Sequence, residues 1–497
     1  MTLGDYRVSL QKSKRMHEND TFPKNRGIQS TLWRIFLLAV VVRVLFFAVA
    51  YYVSDKEFAS VFPRYDGYYE IAENLLAGNG FSREIQSPFL PDSVRTPLYP
   101  LFIAGLVYVF KSYYAVLVAQ ILLASLIPLL AYRIALQLLP QQKRVADTVA
   151  LLLVFEPLTV QLSVTLMSEA FFTMLFLGGV TLFLDYMKEQ RRHLLVHATG
   201  LFALATLARP TIQFLPLFLI AIIVCILWRK KSEAIWHSLI VAGVFLLILA
   251  PWSVRNVVRF GNPALSVQYA SVPYDYLIPS TIALEEHIGF LQAQQEFNVK
   301  EGLKNGVEDI DLANANEYKK RIAPLLLKHP VGLMKSVAVT AFTFFTHDGY
   351  MDVLYRLGVT PTTPLERPAF AMFLESPTKA FAYVIPLLSS PFLFVIVGRL
   401  LWILISLCFI WGALRALRNP EHHAKKISAI LLILYFVFTT VAVGLAVNAR
   451  FRMPVNALIL PFAVYGVAGM VPKRKVPPLP ACQSAGRLSK EGLGVVD

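Results

Sequence analysis

A charged side chain placed where a long apolar run ends costs free energy unless something uses it. Such positions are therefore the first to read for chemistry. Asp66 lies in Tyr65-Asp66-Gly67-Tyr68-Tyr69, and Arg95 directly precedes Thr96-Pro97-Leu98-Tyr99-Pro100. Glu169 closes Met167-Ser168-Glu169, and Arg209-Pro210 forms a tight turn between two apolar runs. Arg450 and Arg452 stand in Asn448-Ala449-Arg450-Phe451-Arg452-Met453-Pro454. Guanidinium groups at a lipid–water boundary suit a phosphate head group, which they bind with charge-assisted, often bidentate hydrogen bonds. A carboxylate beside them can take the proton of an incoming hydroxyl.

Each of these residues also has a plainer use. Asp66 suits a helix N-cap, Glu169 the acidic start of a helix, and Arg95 a contact with lipid head groups. Glu156-Pro157 lies inside an apolar run, where a proline-kinked helix with an internally paired carboxylate accounts for it. Arg43 sits midway along another run and suits snorkelling or an internal ion pair. His347-Asp348, with Asp352 nearby, offers either a metal or acceptor contact or a plain polar loop. Cys225 and Cys408 fall in apolar runs and Cys482 near the C-terminus, with no metal-site or disulfide spacing. They read as small buried hydrophobes.

The elements that position these residues are membrane helices. The chain has 497 residues, of which 56% are hydrophobic and 16% charged. A soluble domain carries about 25% charged residues. Apolar runs of spanning length or near it cover 33–53, 114–138, 145–163, 166–186, 194–208, 212–228, 236–252, 396–414, 427–445 and 455–471. The run at 33–53 lacks a small-residue cleavage site and reads as a membrane anchor and not as a cleaved signal. Lys12, Lys14, Arg15, Lys24 and Arg26 precede the first run, and Lys143 with Arg144 separate the second from the third. Further clusters are Lys188, Arg191 and Arg192; Arg229, Lys230 and Lys231; Arg415, Arg418, Lys425 and Lys426; and Lys473, Arg474 and Lys475. The positive-inside rule places all of them in the cytoplasm, so the net charge of +15 reports topology and not a nucleic-acid partner. Asp66, Arg95, Glu169, Arg209, Arg450 and Arg452 then share the outer side, where arginine is disfavoured.

This alternation holds only if the apolar run at 97–110 stays on, or dips into, the outer surface. The runs at 334–345 and 381–393 are open to either reading, which gives ten to twelve spans. Long outward segments cover 54–96 and 253–330. In the first, Tyr68, Ile71, Ala72 and Leu75 fall on one face at helical spacing, and Gly78-Asn79-Gly80 supplies the stop. That helix is expected in the interfacial plane.

These motifs together resemble a GT-C glycosyltransferase, of the branch with the lipid A aminoarabinose transferases and the protein O-mannosyltransferases. The resemblance rests on YDGYYEIAENLLAGNGFS, RTPLYPLFIAGL, SEAFF at 168–172, LARPT at 207–211, PWSVRNVVRFG at 251–261, and RFRMP. It covers about residues 43–466. It implies an all-α polytopic bundle of 10–12 transmembrane helices and inverting transfer from a polyprenyl-phosphate sugar on the outer face. Asp66 carries over as catalytic base and Glu169 as the second acidic position. Arg95 and Arg209, with Arg450 and Arg452, carry over as contacts to the donor phosphate. Tyr68, Tyr69, Tyr99, Glu156, His347 and Asp348 complete the candidate set. One departure bears on sugar and acceptor: the aminoarabinose transferases have an acid before their Lys-Pro-Pro-Leu-Tyr stretch, where Val94 stands here.

The implied organisation is a basic cytoplasmic segment at 1–32, a transmembrane module at 33–252 with outer loop 54–96, an outer helical loop at 253–330, a second transmembrane module at 331–471 and a cytoplasmic tail at 472–497. The expected partners are a polyprenyl-phosphate-linked sugar, membrane lipids and an acceptor lipid, glycan or protein, with no nucleic acid. No cofactor is required, and a divalent metal is compatible with the scheme. The expected location is a bacterial inner (plasma) membrane, with the active site on the periplasmic or extracytoplasmic side. A transporter or flippase of a lipid-linked or anionic substrate is the alternative, and Arg43 and Glu156 speak for it.

Overall fold

The computed structural model of the chain describes residues 26–64, 66–359 and 376–469. Tyr65, Lys12 to Lys24, Lys473 to Lys475 and Cys482 lie outside them. The regular structure of the described residues is helical, and their one β-type contact is an isolated parallel bridge between Arg64 and Leu166.

The helices used below are α1 (Arg26–Val53), α2 (Tyr68–Ala77), α3 (Leu98–Phe110), α4 (Tyr113–Ala124), α5 (Ile127–Leu138), α6 (Lys143–Phe155), α7 (Pro157–Ser163), α8 (Glu169–Glu189) and α9 (Arg192–Ala208). They continue with α10 (Leu215–Ile226), α11 (Lys231–Phe260), α12 (Ala315–Leu327), α13 (Pro330–Thr346), α14 (Tyr350–Arg356), α15 (Leu393–Arg418), α16 (His423–Thr440) and α17 (Met453–Ala468). Among the described residues, 6 helical segments are long and apolar enough to cross a membrane, and up to 8 if each bent pair is one span. The chain is thus a multi-pass, all-α integral membrane protein.

The spans differ in how much of them is enclosed. In α8 72% of the apolar window is buried, against 22% in α1, α11 and α15. That makes α8 the core helix and leaves the others a lipid-facing side. Apart from Asn456, helix α17 is apolar on every face, and it is buried over most of its length, as an enclosed helix must be. A side chain at Gly412 would strike the backbone of Phe462, so α15 and α17 meet backbone to backbone, the close approach that small residues permit in membranes.

Both bent pairs follow from proline chemistry. The third run breaks by 55° between α6 and α7. Pro157 cannot donate a backbone hydrogen bond, and the Glu156 carboxylate instead caps α7 by accepting from Thr159 N at 2.6 Å. The second break, 100° between α12 and α13, falls at Pro330. Helix α3 has 13 residues, too short to cross, and buries Tyr99, Pro100, Ile103 and Ala104 while Tyr108, Val109 and Phe110 are exposed. The apolar segment at 381–393 yields an 11-residue helix, Pro377–Leu387. The seventh span does not end at 252: α11 continues through Pro251 to Phe260. The segment that follows has its own core of Val267, Ala270, Tyr274, Ile278, Phe297, Leu303, Ile310 and Leu312.

Candidate active site

Helix α2 forms as its periodicity predicts, with Tyr68, Ile71, Ala72 and Asn74 buried and Gly78 closing it in the left-handed conformation at φ 79°. Its start is different from a simple N-cap. Gly67 occupies the cap position, and Asp66 just before it is itself left-handed, at φ 65°. A non-glycine residue seldom adopts that region, although aspartate tolerates it better than most. The carboxylate of Asp66 is thereby freed from capping, and a third of the side chain (33%) remains exposed.

Arg95 reaches it from the loop before α3. Its Nη2 lies 3.1 Å from Asp66 Oδ1, and its Nε donates to the Asp66 carbonyl at 2.7 Å. The guanidinium also stands 5.1 Å from the centre of the Tyr68 ring. Burial alone would lower the Arg95 pKa, but Tyr68, Asp66 and Asp92 outweigh it and raise the group above its ordinary value. Arg95 is a fixed cation.

Tyr68 links this pair to the second carboxylate. Its hydroxyl lies 3.0 Å from Ser168 Oγ, and Arg209 Nη1 donates to the same oxygen at 3.4 Å. Arg209 Nη1 is 2.5 Å from Glu169 Oε1, whose side chain is only 2% exposed. The Arg64–Leu166 bridge holds the first loop beside this segment. Tyr99 packs edge-on to Tyr68 with ring centres 4.9 Å apart and donates to Gln120 Oε1 at 2.7 Å. Gln120 Nε2 in turn donates to the carbonyls of Ser163 at 3.2 Å and Thr165 at 2.5 Å. The turn after α7 that delivers Ser168 and Glu169 is thus pinned from α4. Asp66, Arg95, Tyr68, Tyr99, Glu169 and Arg209 come together. Tyr69 stands one residue away with its ring under Arg64, 3.6 Å from that guanidinium.

Arg450 and Arg452 part company. Arg450 is half-buried at the same end of the bundle, and its Nε has no hydrogen-bond partner. It acts electrostatically on Tyr276 and Asp352. Burial and Asp275 push the Tyr276 phenol up to about 12, so it carries its proton at neutral pH, and Asp66 adds to that rise. Burial likewise raises the Asp352 carboxyl, against the pull of Arg450 and Arg356.

Arg452 is 1% exposed, and backbone carbonyls occupy its guanidinium. Its Nη1 donates to Phe344 O at 2.8 Å and Phe345 O at 2.9 Å, and its Nη2 to His347 O at 2.7 Å. Its Nε donates to Asn456 Oδ1 at 3.0 Å, and the group stacks over Trp402 at 3.5 Å. It caps the end of α13 and offers little to an external anion. His347 and Asp348 are also spent locally, not in an open polar loop. His347 Nδ1 accepts from Gly349 N at 3.0 Å, and Asp348 accepts from Tyr350 N at 2.7 Å and pairs with Arg399 at 3.0 Å. Glu156 is the α7 cap, and Arg43, fully buried, donates from Nη1 to Ala39 O at 3.0 Å. The Arg43 Nε and Nη2 and Glu156 Oε1 have no hydrogen-bond partner, although the two groups interact electrostatically.

Sequence reasoning passed over Asp92, Gln120, Tyr276 and Arg83. Only Asp92 left a signal, an aspartate two and three residues before backbone N–H groups it can accept from. Among the described residues no three His, Cys, Asp or Glu side chains gather into a metal-binding group.

Residues 94–254 match the family model of dolichyl-phosphate-mannose-protein mannosyltransferases. The match covers less than half of the chain and bears out the resemblance to that branch read from the motifs. It contains Arg95, Glu169 and Arg209. No curated protein matches the chain. Among solved structures, the Archaeoglobus fulgidus oligosaccharyltransferase in the apo form is similar at TM-score 0.47 and 13% identity, over 89% of this chain and 51% of that one. The same enzyme with an inhibitory peptide and a dolichol-phosphate gives 0.46 and 12%, over 90% and 51%. ArnT from Cupriavidus metallidurans bound to undecaprenyl phosphate gives 0.32 and 13%, over 85% and 77%. The chain spans about half the length of the oligosaccharyltransferase.

Proposed function

We propose that this chain is a membrane glycosyltransferase that moves a sugar from a polyprenyl-phosphate donor to an acceptor hydroxyl, with inversion, on the outer face of a bacterial inner membrane. The observation that carries the reading is the Asp66–Arg95 pair set beside the Glu169–Arg209 pair. A partly open carboxylate and two held guanidinium groups share one end of the bundle.

The acceptor oxygen attacks the anomeric carbon as its proton passes to Asp66. The bond from that carbon to the phosphate oxygen breaks, and the electron pair leaves with the polyprenyl phosphate. A phosphate is a good leaving group, so no acid is needed to protonate it. Arg95 and Arg209, joined by Arg450, hold the departing charge, and preorganised cations of this kind stabilise the transition state without reorganising. Tyr276, a protonated phenol held by Asp275, lies within electrostatic reach of Asp66 and Arg450. Arg452 belongs to the scaffold. The reading requires no cofactor.

The test is transfer by the purified full chain in lipid nanodiscs, with a panel of undecaprenyl-phosphate sugars and total envelope lipids, glycans and proteins as acceptors. Asp66→Asn is expected to lower the rate by about 10²–10⁴-fold, the range for a lost general base, while undecaprenyl phosphate still binds. Native rates in that variant would remove Asp66 from the role. The unpartnered polar atoms of Arg43 and Glu156 within the membrane favour a transporter as the second reading. Flux of a lipid-linked substrate without sugar transfer would select it.

A further inference from the structure

The geometry points to Asp92 as the positioning residue that holds Asp66 and Arg95 in register. This inference rests on the reading of Asp66 as the base only for its effect on rate. Its structural content stands alone.

Asp92 closes a circuit around the Asp66–Gly67 corner. Its side chain is 1% exposed and pairs with Arg83 Nε. Arg83 is 37% exposed, and its aliphatic stem lies where a Gly67 side chain would stand. The stem therefore covers the left-handed corner that presents Asp66. Arg83 is itself delivered by α2, because buried Asn74 donates to Ser82 O at 2.9 Å and Glu84 O at 2.8 Å. On its other side, Asp92 Oδ2 accepts from Val94 N at 3.1 Å and Arg95 N at 2.7 Å. That sets the direction in which Arg95 leaves the backbone, and Arg95 then closes on Asp66.

The backbone of this segment is tied to independent parts of the molecule. Asp92 N donates to Phe81 O at 2.8 Å, and Arg255 of α11 donates to Asp92 O at 2.9 Å. Val267 N and Ser266 Oγ, from the outer segment, donate to Ser93 O at 2.9 Å and Val94 O at 2.7 Å. A buried carboxylate with a charged donor on one oxygen and backbone donors on the other is a rigid junction. One side chain thus supports two strained or charged elements of the site from opposite directions. Misplacement of a reacting group by about 1 Å costs about 10²-fold in rate.

The two arms separate by substitution. Asp92→Asn keeps an oxygen for the Val94 and Arg95 N–H groups and loses the ion pair with Arg83. Asp92→Ala loses both. In the nanodisc assay the expected kcat losses are about 3–10-fold for Asp92→Asn and about 30–100-fold for Asp92→Ala, with KM for the donor unchanged within about 3-fold. Because one arm of Asp92 acts through Arg95 and the other through Arg83, the Asp92→Ala/Arg95→Ala double variant should be slower than Arg95→Ala alone by no more than the about 3–10-fold of the Arg83 arm. The full Asp92→Ala loss on top of that of Arg95→Ala, or losses that appear in KM alone, would overturn the assignment.

Amide hydrogen exchange supplies a readout free of the reaction. Peptides covering 66–70 and 94–97 should exchange faster in Asp92→Ala, and those of the outer segment should not. Unchanged exchange at 66–70 sinks the proposal whatever the chemistry. Survival of activity in Asp66→Asn sinks the base reading and leaves the junction standing. Should Asp92→Ala fail to fold, Arg83→Met tests the same arm from a partly exposed position. It must loosen 66–70 for the proposal to hold.

Discussion

Arg450 and Arg452 are two residues apart and of one type, yet the turn at Ala449–Phe451 sends them to different work. Arg450 keeps an unpartnered Nε near Asp352 and Tyr276, whereas Arg452 donates four hydrogen bonds inside the protein. The fork geometry of a guanidinium is what lets one side chain satisfy the carbonyls of Phe344, Phe345 and His347 together. An ammonium cannot reproduce it. Arg452→Lys should therefore lower stability by about 2–3 kcal/mol, the cost of stranding buried acceptors. Arg450→Lys should leave stability within about 0.5 kcal/mol and act on transfer. Thermal unfolding of both variants in detergent checks this, and equal melting temperatures would contradict the division of roles.

At the scale of elements, the site is assembled by departures from regular helix. The break at Glu156-Pro157 turns one run into α6 and α7, and Gln120 then fastens the carbonyls at the end of α7 and just beyond it. The corner at Asp66-Gly67 starts α2 with consecutive left-handed residues. Left-handed geometry costs a residue with a side chain about 1–2 kcal/mol, and at Gly67 a side chain would also collide with Arg83. Gly67→Ala should destabilise the chain by at least about 1–2 kcal/mol and lower transfer by displacing Asp66. Gly80→Ala, also at positive φ but with open space around it, should cost stability without comparable loss of rate. Similar rates in the two variants would show that the corner does not set the base.

For the whole molecule, the proposal requires the site and the outer segment to share one side of the membrane, opposite the basic turns. The native cysteines Cys225, Cys408 and Cys482 are first replaced by serine. A single cysteine at exposed Lys304 should then react with an impermeant maleimide in intact cells, and one at exposed Arg191 only after permeabilisation. Labelling of both from outside would reject the topology and with it the outward active site.

The sequence by itself determined the membrane class and the apolar runs, and it supplied the charges from which the topology rule predicts an orientation. Those properties are one-dimensional: hydrocarbon thickness sets run length, and the rule counts charge in short connections. It also determined α2, since i, i+3, i+4 spacing is local. The tertiary structure alone decided which guanidinium meets which carboxylate. Arg95 and Asp66, or Arg209 and Glu169, are joined by packing between distant segments, and no local pattern encodes that choice. The same holds for Asp66, the residue read first. An aspartate before a helix looks like a cap in one dimension. Only the left-handed corner, covered by Arg83 and braced by Asp92, turns its carboxylate away from the helix and toward Arg95.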